Sequence, residues 1–274
     1  MCYKNSKDAK YDWRVIAMQW LNLFNQQSIK KTSDSPLPVH FNFRKDTIDS
    51  AVFRIVVQQN EYNLPSQFNP DDIVIDIGAH IGSFSYLALQ KGAKVYAYEA
   101  DKSNFALLKR HLDFYIKNGK LIIENIAVWG EMPIEANLYL SKYDENGWNT
   151  GGARITEVNN GEPVKTISID ELIQKIELLE KKKIQLIKID CEGSEWPILL
   201  GSQKIGQISQ ICGEYHEFGG DYDSNNFPFS FEGLNKFTET ELIECLQGKG
   251  FVVEVKRKIF NNKPDRTGLF FAKQ

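Results

Sequence analysis

From about residue 70 onward, short unbroken apolar runs alternate with stretches in which apolar residues return every three or four positions. Unbroken runs mark strands buried on both faces, and the helical spacing marks the crossovers that join parallel strands. The runs predict strands at Ile73–Ile77, Lys94–Glu99, Leu121–Val128, Gln185–Asp190 and Ile208–Tyr215. Helices are predicted at Gly82–Gln90, Ser103–Lys117 and Ile169–Glu180. The second of these puts Phe105, Leu108, Leu112, Tyr115 and Ile116 on one face; the third opens on a capping box, Ser168-Ile-Asp-Glu171. A helix at Glu239–Gly248 precedes two strands, Phe251–Lys256 and Leu269–Ala272. Their short polar connection, with Asn261, Asn262 and Pro264, predicts an antiparallel pair. The expected fold is therefore α/β, with a mixed sheet that stays parallel until its last hairpin.

Ahead of this region, Trp13, Ile16, Ala17, Trp20, Leu21 and Phe24 share one face of a predicted helix, which a Pro/Ser/Thr-rich break from Lys31 to Pro38 ends. The organisation expected is an N-terminal helical extension over residues 1–50 and one main domain over residues 51–274. Composition adds limits. With 42% hydrophobic residues, 25% charged residues and a net charge of −3, the chain reads as an ordinary globule, not a basic nucleic-acid binder. The basic run Lys181–Lys183 closes a predicted helix, where cations complement the helix dipole. No apolar stretch approaches the ~18 residues of a membrane span, and the first residues have no apolar signal region, so a cytoplasmic protein is expected. Cys2, Cys191, Cys212 and Cys245 form no C-x-x-C pair and no metal-ligand spacing, which fits a reducing compartment.

The sharpest local signal is Asp76-Ile-Gly-Ala-His-Ile-Gly82, which leaves one predicted strand and opens a helix. Gly78 lets the backbone turn tightly and approach a ligand, and Gly82 lets the first helical turn pack closely. The helix start offers free N–H groups. Dinucleotide enzymes favour G-x-G-x-x-G here, because a pyrophosphate sits on the helix start. An acid in place of the first glycine would repel pyrophosphate and suits the α-amino group of S-adenosylmethionine. Glu99, at the end of the second strand, is placed to accept both hydroxyls of a ribose. Asn125 or the neighbouring backbone, near the end of the third, is placed to hold an adenine edge.

The fourth strand runs into Lys188-Ile-Asp-Cys-Glu-Gly-Ser-Glu195, and the fifth into Glu214-Tyr-His216. Strand ends of this kind line the ligand crevice of open α/β sheets. Lys188 and Asp190 fall on one side of their strand, as do Glu214 and His216 of theirs. A general base is expected here, His216 or Asp190, with Glu192 beside them and Lys188 placed to stabilise a developing negative charge. Asp190, Glu214 and His216 are also candidate ligands for a divalent metal, a less favoured reading because no spacing within one element enforces coordination.

These motifs, with Thr166-Ile-Ser-Ile-Asp-Glu-Leu172, resemble the FkbM family of methyltransferases over about residues 50–220. His80 stands where many members carry Asn. The resemblance implies a Rossmann-like seven-stranded sheet, S-adenosylmethionine as donor, and a hydroxyl acceptor on a sugar, glycan or small natural product. The candidate cofactor contacts are then Asp76, Gly78, Ala79, His80, Gly82 and Ser83 on the loop, Glu99, Ala100 and Asn104 after the second strand, and Asn125 and Ala127 after the third. The aromatic stretch Phe218–Phe231 has no counterpart among these motifs and suggests a lid or platform over the acceptor. A nicotinamide oxidoreductase and a non-catalytic binding scaffold are the rival readings. The first is disfavoured by the missing glycine, the second by the acids at 190–195.

Overall fold

The computed structural model describes residues 40–131, 139–142, 148–156, 161–219, 236–260 and 263–274. The helix predicted around Trp13–Phe24 and most of the aromatic stretch after Gly219 lie outside the described residues.

From His40 the chain packs in the same compact unit as the sheet. Phe41 packs at tilted and edge-on angles against Phe53, Tyr86 and His111. Asp49–Phe53 forms a short helix, α1, continued by one π-helical turn at Arg54–Gln58.

Strand β1 (Ile73–Ile77) is buried at every position, as its unbroken apolar run requires. It leads through α2 (Ser83–Gln90) to β2 (Lys94–Tyr98), then through α3 (Lys102–His111) and α4 (Asp113–Lys117) to β3 (Leu121–Glu124). The helix predicted over 103–117 is two helices because Leu112 leaves helical geometry at φ −109°, ψ 18°. Leu112 instead fills the space left by Gly82, where a Cβ would lie 2.9 Å from its Cδ1.

The strand predicted over 121–128 also divides. The side chain of Asn125 donates to the carbonyls of Glu99 and Ala100, and the chain turns off the sheet there. It continues as β4 (Ala127–Trp129). Next come β5 (Tyr139–Lys142), β6 (Ala153–Thr156) and β7 (Glu162–Pro163), which form a small sheet, and β8 (Thr166–Ser168), which pairs with β4 in parallel. Helix α5 (Ile169–Glu180) begins where the capping box predicted, with the Ser168 hydroxyl accepting from the Glu171 N–H. It buries Ile169, Leu172, Ile173 and Ile176.

The chain then crosses to the other side of β1 as β9 (Ile184–Ile189), followed by α6 (Glu195–Gly201), β10 (Gln210–His216), β11 (Phe218–Gly219), β12 (Lys236–Phe237) and α7 (Glu239–Gly248). The final hairpin, β13 (Val252–Phe260) and β14 (Lys263–Lys273), is longer than the apolar runs predicted. Its outer part runs past the last residue of β10, so its polar alternation hid it from a reading based on apolar runs.

The main sheet has seven strands in the order β13-β14-β10-β9-β1-β2-β3. Five are parallel, and β14 enters antiparallel to β10 with β13 at the edge. One core packs α5, α6 and α7 against one face; the other packs α2, α3 and the segment from Val56 to Phe68 against the opposite face. Because β1 is followed on one side by β2 and on the other by β9, the strand order reverses at β1. Ligand crevices open at the carboxyl ends of strands at such a reversal.

Candidate functional site

At the end of β1 the backbone turns through Gly78, at φ +75°. A Cβ there would lie 1.9 Å from the carbonyl oxygen of Asp190, so only glycine lets the loop rest on the end of β9. The N–H groups of Gly78 and Ala79 both donate to Tyr98 O, at 3.0 Å. His80 is left-handed at φ +52°, and its N–H donates to Glu99 Oε2 at 2.7 Å. Glu99 Oε1 accepts from the N–H of Asp101 at 2.8 Å. One carboxylate thus ties the glycine loop to the end of β2 and keeps further lone pairs on both oxygens. Burial pushes its pKa up to about 7, against those two hydrogen bonds.

Beneath the loop lies a buried ion pair. Asp76, 0% exposed, accepts from Ser85 Oγ at 2.7 Å and faces Lys188 Nζ at 3.1 Å. Lys188 also donates to the carbonyls of Gly78 (2.7 Å) and Ile77 (3.2 Å) and lies 3.9 Å from Asp190 Oδ2. Burial alone would depress the lysine, but the charges of Asp76 and Asp190 outweigh it and hold its pKa above the usual value. Both side chains are buried, and neither lines the cavity described below. Together they fix the loop from below.

Above the loop a cavity of about 270 Å³ crosses the ends of β1, β2, β9 and β10. Of the residues expected to bind a cofactor, Gly78, His80, Glu99, Ala100, Asn104 and Ala127 line it. Asp76, Ala79, Gly82, Ser83 and Asn125 do not. Gly82, at φ +95°, is pressed on Leu112; Ala79 and Ser83 are buried; the Asn125 amide is held by two carbonyls.

Asp190, Glu192 and Glu214 line the opposite end, with Lys258 from β13. The Tyr62 hydroxyl donates to Asp190 Oδ2 at 2.7 Å. Burial would raise the pKa of Asp190, but Lys188 and His216 outweigh it and hold the carboxyl below its usual range. His216 sits just behind this wall. Its Nδ1 is 2.8 Å from Glu195 Oε1, and its Nε2 is 3.4 Å from Glu192 Oε2 and 4.0 Å from Glu214 Oε1. Burial works against its protonation, yet Glu195 and Glu192 prevail and raise its pKa to about 10. The acids around it thus favour the protonated imidazole at neutral pH. Among the described residues no group of three His, Cys, Asp or Glu side chains is arranged to hold a metal ion. Glu192 behaves differently: burial raises its pKa to about 7, with the His216 charge opposing.

Several participants escaped the sequence reading. Arg44 forms a bidentate pair with buried Asp49 and donates to Asn104 Oδ1 at 2.8 Å. The Thr150 hydroxyl donates to Asp49 at 2.7 Å, and His80 Nε2 lies 2.9 Å from that hydroxyl oxygen. The guanidinium of Arg44 lies 3.4 Å from the same ring nitrogen. Burial depresses the pKa of His80 to about 4, so the ring is neutral. Lys258 donates to Glu214 at 2.6 Å and stands 4.0 Å from Glu61. Arg44, Asp49, Tyr62, Thr150 and Lys258 belong to no local motif.

A strand-order reversal, a glycine turn and an acid at the end of the second strand together define a Rossmann-like nucleoside-binding crevice. The model of the methyltransferase FkbM domain matches residues 76–252, more than half of the chain, and the chain belongs to that family of methyltransferases. Membership implies S-adenosylmethionine as the methyl donor. Similar solved structures include an FkbM methyltransferase from Methylobacillus flagellatus KT, at 16% identity and TM-score 0.44, with 79% of this chain and 47% of that one covered. Precorrin-6y C5,15-methyltransferase from Geobacter metallireducens GS-15 is similar at 14% identity and TM-score 0.42, with 85% and 93% covered. An rRNA methylase from Streptococcus thermophilus is similar at 9% identity and TM-score 0.39, with 75% and 88% covered. A search of curated proteins finds no match. No helix among the described residues is long and apolar enough to cross a membrane.

Proposed function

We propose that the chain transfers a methyl group from S-adenosylmethionine to a hydroxyl of a sugar, glycan or small natural product. The observation that carries this reading is the carboxyl group of Glu192, which lines the cavity with a pKa of about 7. Such a group is substantially ionised at neutral pH and still basic enough to take a proton, the balance a general base needs.

The residues present fit the cofactor. Glu99 has free lone pairs for two ribose hydroxyls, and Gly78 keeps the loop backbone open beside it. The bound cofactor supplies an electrophilic methyl group on a sulfonium centre. Everything else falls to the chain. The arrangement supports a division of labour in which Glu192 accepts the acceptor's hydroxyl proton. Asp190, ionised and fixed by Tyr62, orients that hydroxyl by accepting a hydrogen bond. Lys258 supplies the positive charge that Lys188 cannot. His216 holds the Glu192 carboxylate in place without exchanging the proton.

Calorimetric titration with S-adenosylhomocysteine tests the cofactor assignment. Methyl transfer to a panel of hydroxylated sugars and natural products by wild type and Glu192→Gln tests the rest. A Glu192→Gln enzyme as active as wild type on a turned-over acceptor refutes the base assignment. Tight cofactor binding with no turnover of any hydroxyl acceptor would favour transfer to nitrogen or carbon, or a binding role.

A further inference from the structure

Ser194 is 2% exposed, and its hydroxyl has no hydrogen-bond partner among the described residues. It occupies the N-cap position of α6 without capping it, because its own backbone is already helical at φ −71°, ψ −11°. The neighbouring Gly193 N–H is satisfied by Glu195 Oε2 at 2.8 Å. The fold therefore makes no use of this hydroxyl, and an unpaired buried hydroxyl is costly to keep. Ser83 carries a similar orphan hydroxyl but stands outside the cavity, whereas Ser194 lines it.

Part of the cavity that Ser194 lines is apolar. Ile126, Ala127 and Val128 line the cavity where the chain leaves the sheet, and Ala153 and Ile155 line it from β6. The start of α6 is held against this wall: at Gly130, just after β4, a Cβ would lie 2.0 Å from Pro197 O. Residues 194 and 197 are three apart and share a side of the helix. Ala100 follows Glu99 directly and lines the same space, so the wall lies within a nucleoside's reach of the proposed ribose acceptor. Asn125, the residue expected to hold the adenine, has its amide engaged by Glu99 O and Ala100 O. The slot thus has apolar sides for a flat ring and one uncommitted polar group for its edge, the usual make-up of a heterocycle site.

Resting on the cofactor reading above, we propose that the Ser194 hydroxyl hydrogen-bonds the edge of the cofactor's adenine ring. A serine hydroxyl both donates and accepts, and a single χ1 rotation aims it. Ser194 fills the unspecified position of the Glu-Gly-x-Glu motif, so the contact belongs to this chain.

The experiment is calorimetric titration of the full chain and its Ser194→Ala variant with two ligands. One is S-adenosylhomocysteine; the other is S-ribosylhomocysteine, which lacks the base and is read by competition. Thermal melts of both ligand-free proteins accompany it. The variant should bind S-adenosylhomocysteine roughly 3–10-fold more weakly and S-ribosylhomocysteine unchanged. Its ligand-free Tm should equal or exceed that of wild type, since alanine removes a group without a partner. Unchanged S-adenosylhomocysteine affinity, an equal loss for both ligands, or a lowered ligand-free Tm would each overturn the base contact alone. Failure of the wild type to bind S-adenosylhomocysteine would refute the cofactor reading and this inference with it.

Discussion

Replacing Lys188 by methionine separates two accounts of the residue that the sequence could not tell apart. The lysine side chain is 4% exposed, its ammonium lies 3.1 Å from a carboxylate that is 0% exposed, and it donates to the carbonyls of Ile77 and Gly78. Methionine keeps much of the volume but leaves Asp76 buried without its counter-charge and supported mainly by Ser85. Breaking a buried pair by removing one partner costs ~3–5 kcal/mol. For a chain of this length each kcal/mol is worth ~2–4 °C in Tm, so a fall of roughly 6–20 °C is expected. The assay is thermal and urea denaturation of ligand-free protein, with coincident far-UV and fluorescence transitions as the two-state check. The double variant Asp76→Asn/Lys188→Met should recover most of the loss, because replacing both members of a buried pair is close to neutral. A Lys188→Met protein that folds as stably as wild type and lacks only turnover would refute this account. Lysine would then act on the substrate, as stabilising a developing negative charge requires.

Glu192→Gln should lower kcat by ~10²–10⁴ while leaving the S-adenosylhomocysteine Kd within about twofold. In wild type the rate should rise with pH through about 7, as Glu192 loses its proton, and the variant should lack that limb. The folded-state pKa of His216, about 10, lies above its unfolded value near 6.5. Its stabilisation is complete below pH ~6.5 and lost as pH rises through 10, by up to ~1.4 kcal/mol per pH unit. Tm should therefore fall from pH 7 to pH 9, and His216→Gln should flatten that slope; a flat wild-type profile refutes the imidazolium. Gly78→Ala adds a Cβ 1.9 Å from Asp190 O at φ +75° and should destabilise by ~1–3 kcal/mol or more. Wild-type stability in denaturant titration would show that the loop does not rest on β9.

What the sequence revealed and what it hid divide along one physical line. Buried parallel strands have unbroken apolar runs, so β1 was legible to the residue, and α5 announced itself through Ser168 and its amphipathic face. Gly78 and Glu99 were legible because a backbone turn and a strand-end acid are local requirements. The break at Asn125 was not, because it depends on two carbonyls contributed by a different strand end. The same holds for the acceptor end. Tyr62 meets Asp190 across 128 positions and Lys258 meets Glu214 across 44, and no periodicity encodes such meetings.

The two histidines carry that argument into chemistry. His80 was expected on the cofactor loop, and His216, at the mouth of the crevice, invited a base assignment. Their neighbours decide otherwise in opposite directions. His80 is buried with Arg44 and Lys188 near enough to oppose its charge, and Asp49 only partly compensates, so it stays neutral and works as a hydrogen-bonding spacer. His216 is also buried, but Glu195, Glu192 and Glu214 surround it, so it stays charged. A permanent cation at that point has a consequence for its neighbour. It draws the pKa of Glu192 down from where burial alone would set it, to about 7. The histidine thus acts on the proton transfer through the carboxylate beside it. Neutralising His216 should accordingly move the Glu192 limb of the pH–rate profile upward, whereas a histidine acting as the base itself would remove the limb.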